Sequence, residues 1–249
     1  MRDGGEYVLP RAAIWRKNMS STVAIIPARG GSKGIPRKNL ADLCGKPLIA
    51  WSILQAKNAQ LIDSVWVSSD DDEILAVAQS YGALPIKRPD EISGDQASSE
   101  SAWIHALDTI EKQDVNVDLI LAMQPTSPVR ESSDLDGSVI SMREYGFDSL
   151  LSVIEVEDFF TWRVDVNGTA ESVSYDYRNR KPRQQIEKHY LENGSFYAVL
   201  PERLRVDNNR LGGRIGMYVM DRYKMFQVDN PGDIELCAAV MRGFGIDKL

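Results

Sequence analysis

The chain has 249 residues, of which 43% are hydrophobic and 26% charged, and a formal net charge of −7. That length supports one α/β domain with a full core and at most a small appended lobe. The acidic balance argues against nucleic acid or an anionic membrane as partner, no apolar run is long enough to span a bilayer, and Cys44 and Cys237 form no CxxC or Cys/His cluster, which fits a reducing cytoplasm.

Residues 1–18 lack the apolar core of a signal peptide and read as a mobile upstream extension, with a packed helix around residues 12–15 as the alternative. Residues 19–249 read as a single domain. Residues 23–27 are a short apolar run ending in Pro27, suited to a buried strand. Pro47 then opens a helix whose Leu48, Trp51, Ile53 and Leu54 make it apolar on most sides. Residues 64–67 form the next strand. Asp71 and Asp72 start a helix with the stripe Ile74, Ala78 and Tyr81, stopped by Gly82. A brief strand at 83–86 precedes a helix carrying Trp103, Ala106, Leu107 and Ile110. A strand at 119–123, a helix with Leu135, Val139 and Met142, and a strand at 149–154 follow.

This alternation specifies an α/β domain of Rossmann-like type, with a mostly parallel sheet and helices on both faces. Ligands bind such sheets outside the carboxyl ends of the strands. The loops at 28–39, 68–70, 87–99 and 124–130 are therefore the ones to inspect. From 155 to about 214 helical periodicity is lost and aromatic and charged residues alternate, as in Phe159-Phe160-Thr161-Trp162-Arg163. We read this stretch as an arm inserted into the domain. Strands resume at 216–220 and 226–228. Pro231 starts the last helix, with Asn230 as N-cap and Ile234, Cys237, Ala238 and Met241 facing inward.

The loop after the first strand reads Arg29-Gly30-Gly31-Ser32-Lys33-Gly34-Ile35-Pro36-Arg37-Lys38-Asn39. It holds four cations and no acid in an acidic protein. Glycines that let backbone N–H groups approach a ligand, joined to converging cations, suit a polyphosphate. The spacing is neither a P-loop nor GxGxxG. A solvated basic turn is the alternative.

This segment resembles the signature of the acylneuraminate cytidylyltransferases, which make CMP-sialic acids and their legionaminic and pseudaminic relatives. Three further stretches match in the same order. Residues 88–99 resemble the family's nucleotide-base loop, and Gln124-Pro125-Thr126-Ser127-Pro128-Val129-Arg130 resembles its QPTSPLR motif. Pro182-Arg183-Gln184-Gln185 with Asn193-Gly194-Ser195-Phe196-Tyr197 resembles its sugar-binding arm.

The resemblance implies a nucleotidyltransferase that moves CMP from CTP to the anomeric 2-hydroxyl of a nonulosonic acid and releases pyrophosphate. It also implies a homodimer formed through the arm. By the same resemblance, Arg29 and Lys38 would be catalytic contacts to the triphosphate, with Lys33 and Asn39 shaping the pocket. Arg88, Ala97 and Ser99 would surround cytosine. Gln124, Arg183, Gln184, Asn193 and Tyr197 would face the sugar. Mg²⁺ would be held by Asp229, although the family's Asp-x-Asp appears here as Gln227-Val228-Asp229. A cytidylyltransferase for another acidic sugar such as 3-deoxy-octulosonate is the nearest alternative. A catalytically silent nucleotide-binding protein is suggested only by Gln227. His105 reads as structural, and His189 lies in the arm.

Overall fold

A computed structural model describes residues 21–32, 34–94, 97–156 and 160–249, apart from the side chain of Arg183. The extension at 1–18, Lys33 and Phe159 lie outside these residues.

β1 (Ser21–Pro27) is central because both of its faces are apolar. Ala24 and Ile26 join one hydrophobic cluster, while Val23 and Ile25 join another on the opposite side. This is the pattern of a strand covered by helices on both faces. Each fully buried Val or Ile here contributes about 1.5–3 kcal/mol. β2 (Asp42–Leu43) and β3 (Lys46–Pro47) form a small hairpin leading into α1 (Leu48–Asn58). β4 (Ser64–Ser69), α2 (Asp72–Ser80), β5 (Leu84–Lys87), α3 (Ser99–Glu111), β6 (Val117–Met123), α4 (Ser132–Tyr145) and β7 (Ser149–Val156) then alternate as the sequence predicts. Asp71 caps α2 by accepting from the Glu73 and Ile74 amides, and Gly146 ends α4 in the left-handed conformation.

The excursion is shorter than the expected 155–214. It carries β8 (Trp162–Val164) and β9 (Ala170–Ser172), paired only with each other. The chain then re-enters the domain as β10 (His189–Val199), antiparallel to both β6 and β7. Asn193-Gly194 lies at a register shift within β10, with Gly194 at φ +62°. The residues after it are buried, so the strand lies at the middle of the sheet. α5 (Pro201–Asp207) and β11 (Ile215–Met220) follow.

The seven-stranded order is β11-β7-β10-β6-β1-β4-β5, parallel except for β10. The strand expected at 226–228 does not form. Lys224 is drawn into a buried cluster with Glu131 (2.7 Å), Asp134 (2.9 Å) and Asp221 (3.3 Å). This pins the chain away from the sheet edge, and the Val228 amide donates instead to the Thr126 carbonyl. α6 (Pro231–Phe244) closes the domain, with Asn230 and Asp233 forming a capping box. No described helix is long and apolar enough to cross a membrane.

Candidate active site at the strand ends

The loops after β1, β5 and β6 meet the segment before α6 around a cleft of about 490 Å³. Its walls include Arg29, Lys38, Asn39, Arg88, Gln124 and Asp229, joined by Ala97 and Ser99 at the start of α3. The cleft thus sits at the carboxyl ends of the parallel strands.

Four contacts set the shape of the basic loop. The Asn39 side-chain amide donates to the Arg29 carbonyl at 3.0 Å, so Asn39 holds the two ends of the loop together. The Lys38 ammonium donates to the Val228 carbonyl at 2.9 Å and to Asp229 Oδ1 at 3.1 Å. Gly34 lies directly under the Asp229 carbonyl: a Cβ there would stand 2.3 Å from that oxygen. Arg37 points instead at Asp71 and Glu73. The four cations therefore do not all converge. Arg29 and Lys38 line the cleft and Arg37 does not.

Arg88 is buried against Asp70, with 3.6 Å between the charged atoms. Burial pulls its pKa down, and Asp70 only partly offsets this. Arg88 Nε and Asn39 Oδ1 are both buried in residues that wall the cleft, and neither finds a hydrogen-bond partner among the described residues. Ser98 caps α3 by accepting from the Ser101 amide, which leaves Ser99 on the cleft wall.

The sugar-facing set is only partly assembled. Gln124 lines the cleft. Asn193 does not face it, because its side chain is consumed internally. Its Oδ1 accepts from Ser152 Oγ and the Ser195 amide, and its Nδ2 donates to the Lys224 carbonyl and approaches Met220 Sδ. Tyr197 is also absent from the wall. Its ring packs against Trp103 in the core, and its hydroxyl donates to Glu192. Burial first, then Glu192, pushes its pKa up to about 12. Both side chains belong to the strand that β10 forms, so burial claims them. Arg183 and Gln184 lie on a 3₁₀ turn (Arg183–Gln185) in the arm, and Gln184 does not line the cleft. His105 has a lowered pKa caused first by burial, and His189 stands beside a second cavity in the arm.

A structural cation missed by sequence reasoning supports this wall. Arg130 is fully buried. Its guanidinium donates to Gln55 Oε1 (2.8 Å), the Ser195 carbonyl (2.5 Å) and hydroxyl (3.3 Å), Ser52 Oγ (2.6 Å) and the Gln124 carbonyl (2.8 Å). Burial pushes its pKa down to about 9, still high enough for it to be charged at neutral pH. Arg130 therefore ties α1, β10 and the turn at Gln124 into one unit. Ser127 adds a bond to the Gly194 carbonyl, and Gln227 donates to the Asn193 carbonyl at 2.8 Å.

Among the described residues, no group of three or more His, Cys, Asp or Glu is placed to hold a metal. Asp229 is 64% exposed beside the cleft. Asp233 is committed to the Asp229 and Asn230 amides. Among the described residues that line the cleft, Asp229 is the one carboxylate, and its Oδ1 accepts from Lys38. That fits Mg²⁺, which is often held by one or two carboxylates together with substrate phosphates.

A family model described as cytidylyltransferase matches residues 23–229. An N-acylneuraminate cytidylyltransferase of Oncorhynchus mykiss is 36% identical over 235 residues, covering 90% of this chain and 52% of the relative. A pseudaminic acid cytidylyltransferase of Campylobacter jejuni subsp. jejuni serotype O:23/36 (strain 81-176) is 32% identical over 215 residues, covering 86% and 93%. The chain thus spans about half the length of the fish relative and nearly all of the bacterial one. Among solved structures, a CMP:2-keto-3-deoxy-manno-octonic acid synthetase complexed with CTP superposes with TM-score 0.68 at 19% identity, covering 90% of this chain and 100% of that one. A 4-diphosphocytidyl-2C-methyl-D-erythritol synthase from Anaerococcus prevotii gives TM-score 0.61 at 12% identity, covering 90% and 96%. At those identities the likeness is one of fold.

Proposed function

The chain belongs to the cytidylyltransferase family, and from that premise we propose that it transfers CMP from CTP to the anomeric 2-hydroxyl of a nonulosonic acid, releasing pyrophosphate. The carrying observation is the cleft itself: two cations, Arg29 and Lys38, beside one exposed carboxylate, with buried Arg88 Nε and Asn39 Oδ1 unpartnered in its walls. Unpaired buried polar groups are costly, and a polar ligand would relieve that cost. The identities to N-acylneuraminate and pseudaminic acid enzymes favour a nonulosonic acid over 3-deoxy-octulosonate.

In this reading the sugar hydroxyl attacks the α-phosphorus in line and the bond to pyrophosphate breaks. Such displacements depend chiefly on positioning and charge stabilisation. Lys38, held at the cleft by Val228 and Asp229, stabilises charge at the α-phosphate. Arg29 meets the outer phosphates, on a backbone that Asn39 fixes. Lys33 is assigned to the phosphate pocket by the resemblance of the loop's sequence alone. Arg88, Ala97 and Ser99 surround the base, and a buried guanidinium there rejects a base that leaves it unpaired. Gln124 orients the sugar; Arg183 and Gln184 are assigned to the sugar by the arm's resemblance to the family, and an arginine there would offer a planar fork to a carboxylate. Asp229 would hold Mg²⁺ together with the phosphates, where the ion would neutralise phosphate charge.

The proposal includes a homodimer through the arm. Trp162 is 45% exposed and Val164 71% exposed, on a two-stranded sheet that pairs with no other strand among the described residues. Such apolar exposure suits a partner surface. We also assign the protein to the cytoplasm, consistent with Cys44 and Cys237 both being free thiols.

The test is pyrophosphate release from CTP and Mg²⁺ across a panel of nonulosonic acids and 3-deoxy-octulosonate. Turnover with at least one nonulosonic acid is expected. CTP binding without release on any sugar would replace this reading with that of a nucleotide-binding protein.

A further inference from the structure

Two neighbouring acids, Asp70 and Asp71, hold both ends of the basic loop from outside it. The Gly30 amide donates to Asp70 Oδ1 at 3.0 Å. Gly30 also lies flat against Asp71, where a Cβ would come within 2.8 Å of Oδ2 and 3.0 Å of the Asp71 Cβ. At the far end, one Arg37 nitrogen donates to both Asp71 oxygens at 3.1 Å and stands 2.8 Å from Glu73 Oε2. Arg37 adopts the left-handed conformation, φ +52°, which a non-glycine side chain rarely takes without something to hold it. The residue before Gly30 is Arg29, and the residue after Arg37 is Lys38. The acids therefore grip the loop one residue away from each of the loop's two cations that line the cleft, Arg29 and Lys38.

We propose that Asp71, assisted by Asp70, is a positioning residue for the triphosphate: it latches Gly30 and Arg37 and so sets where Arg29 and Lys38 stand. This rests on the nucleotide reading above. Asp71 does not line the cleft. Its second duty is to cap α2, where it accepts from the Glu73 and Ile74 amides. The two duties separate chemically. Asparagine is as good an N-cap as aspartate but lacks the charge that Arg37 needs.

Asp71→Asn and Arg37→Gln, singly and together, test the latch. The KM for CTP should rise about tenfold in each single variant, because small displacements of positioned groups cost large factors. The KM for the sugar should stay within about twofold, and the double variant should be no worse than either single, as for partners in one interaction. Arg37→Lys should restore part of the loss seen in Arg37→Gln. Unchanged KM for CTP, effects that multiply in the double variant, or a rise in both KM values alongside a lowered Tm would overturn the proposal.

A readout without turnover separates this idea from the enzymatic one. Trypsin should nick the segment between Arg29 and Lys38 several-fold faster in substrate-free Asp71→Asn than in the unaltered protein. Equal rates refute the latch even if the enzyme is active. Faster nicking in a protein that turns over no sugar supports the latch and sinks the enzymatic reading.

Discussion

The basic loop at residues 28–40 and the arm at residues 160–188 both leave the sheet, and both are rich in Arg and Lys, yet their cations are held differently. In the loop, Lys38 and Arg37 are fixed by carboxylates and carbonyls from distant segments, Val228 and Asp229 for one, Asp71 and Glu73 for the other. In the arm, Arg178 and Arg180 rest on rings of the same excursion, Tyr177 and Phe160, at 4.7 and 4.6 Å. The loop is thus pre-organised by the domain. The arm is organised within itself and presents apolar surface outward. A site built on the first should change rate when altered, and one built on the second should change sugar affinity or assembly.

The sharpest test of that contrast is catalytic. Lys38→Ala should lower kcat about 10²–10³-fold, the usual loss for a group aimed at transition-state charge, whereas Arg183→Ala should raise the KM for the sugar roughly tenfold and leave CTP alone. Steady-state kinetics on both variants checks this. Near-normal kcat in Lys38→Ala would remove Lys38 from its assigned role. Next in size is Arg130→Met, which strips five donors from buried acceptors around Gln124 and Ser195. It should cost about 3 kcal/mol, or roughly 10 °C in Tm for a domain of this size, by calorimetry. On the arm, Trp162→Glu should turn a sedimenting dimer into a monomer at micromolar concentration with little change in Tm. A monomer before mutation would remove the dimer from the proposal.

The smallest expected effect concerns acid. Burial raises the Asp71 pKa, but the Ile74 amide, Arg37 and the Glu73 amide outweigh it and hold the carboxyl below its ordinary value. Asp71 therefore binds fewer protons folded than unfolded. Its contribution to stability is fully present above about pH 4 and is lost as pH falls through the lowered folded value. Thermal midpoints taken from pH 6 to pH 3 should fall less steeply in Asp71→Asn.

Much of this architecture was legible in the sequence because it is written locally. Apolar runs, Asp71 and Asn230 as caps, and Gly82 as a stop fix the alternation and so the end of the sheet where the cleft opens. The clustering of Arg29, Lys38, Arg88, Gln124 and Asp229 was legible through motif order. What escaped depends on long-range pairing. β10 lies inside the stretch read as an arm, and its register shift at Asn193-Gly194 and the burial of Asn193 and Tyr197 come from pairing with β6 and β7, which no local pattern announces. Arg130 gives no sign in sequence that all of its donors are spent inside. The acids at 70–72 read as helix caps, which is one of Asp71's duties, while the partner Arg37 lies 34 residues away.

The placement of β10 also bears on how the chain assembles. The strand that fills the middle of the sheet is made after the arm, between β6 and β7 that precede it. Until Val199 is synthesised, those two strands face each other across an open slot with unpaired backbone edges. The nascent N-terminal half therefore carries an aggregation-prone gap that local contacts cannot fill. This long-range pairing should make folding slow. A chain cut after Val156 would keep only α1 to α4 and would lack the strand that joins β6 to β7.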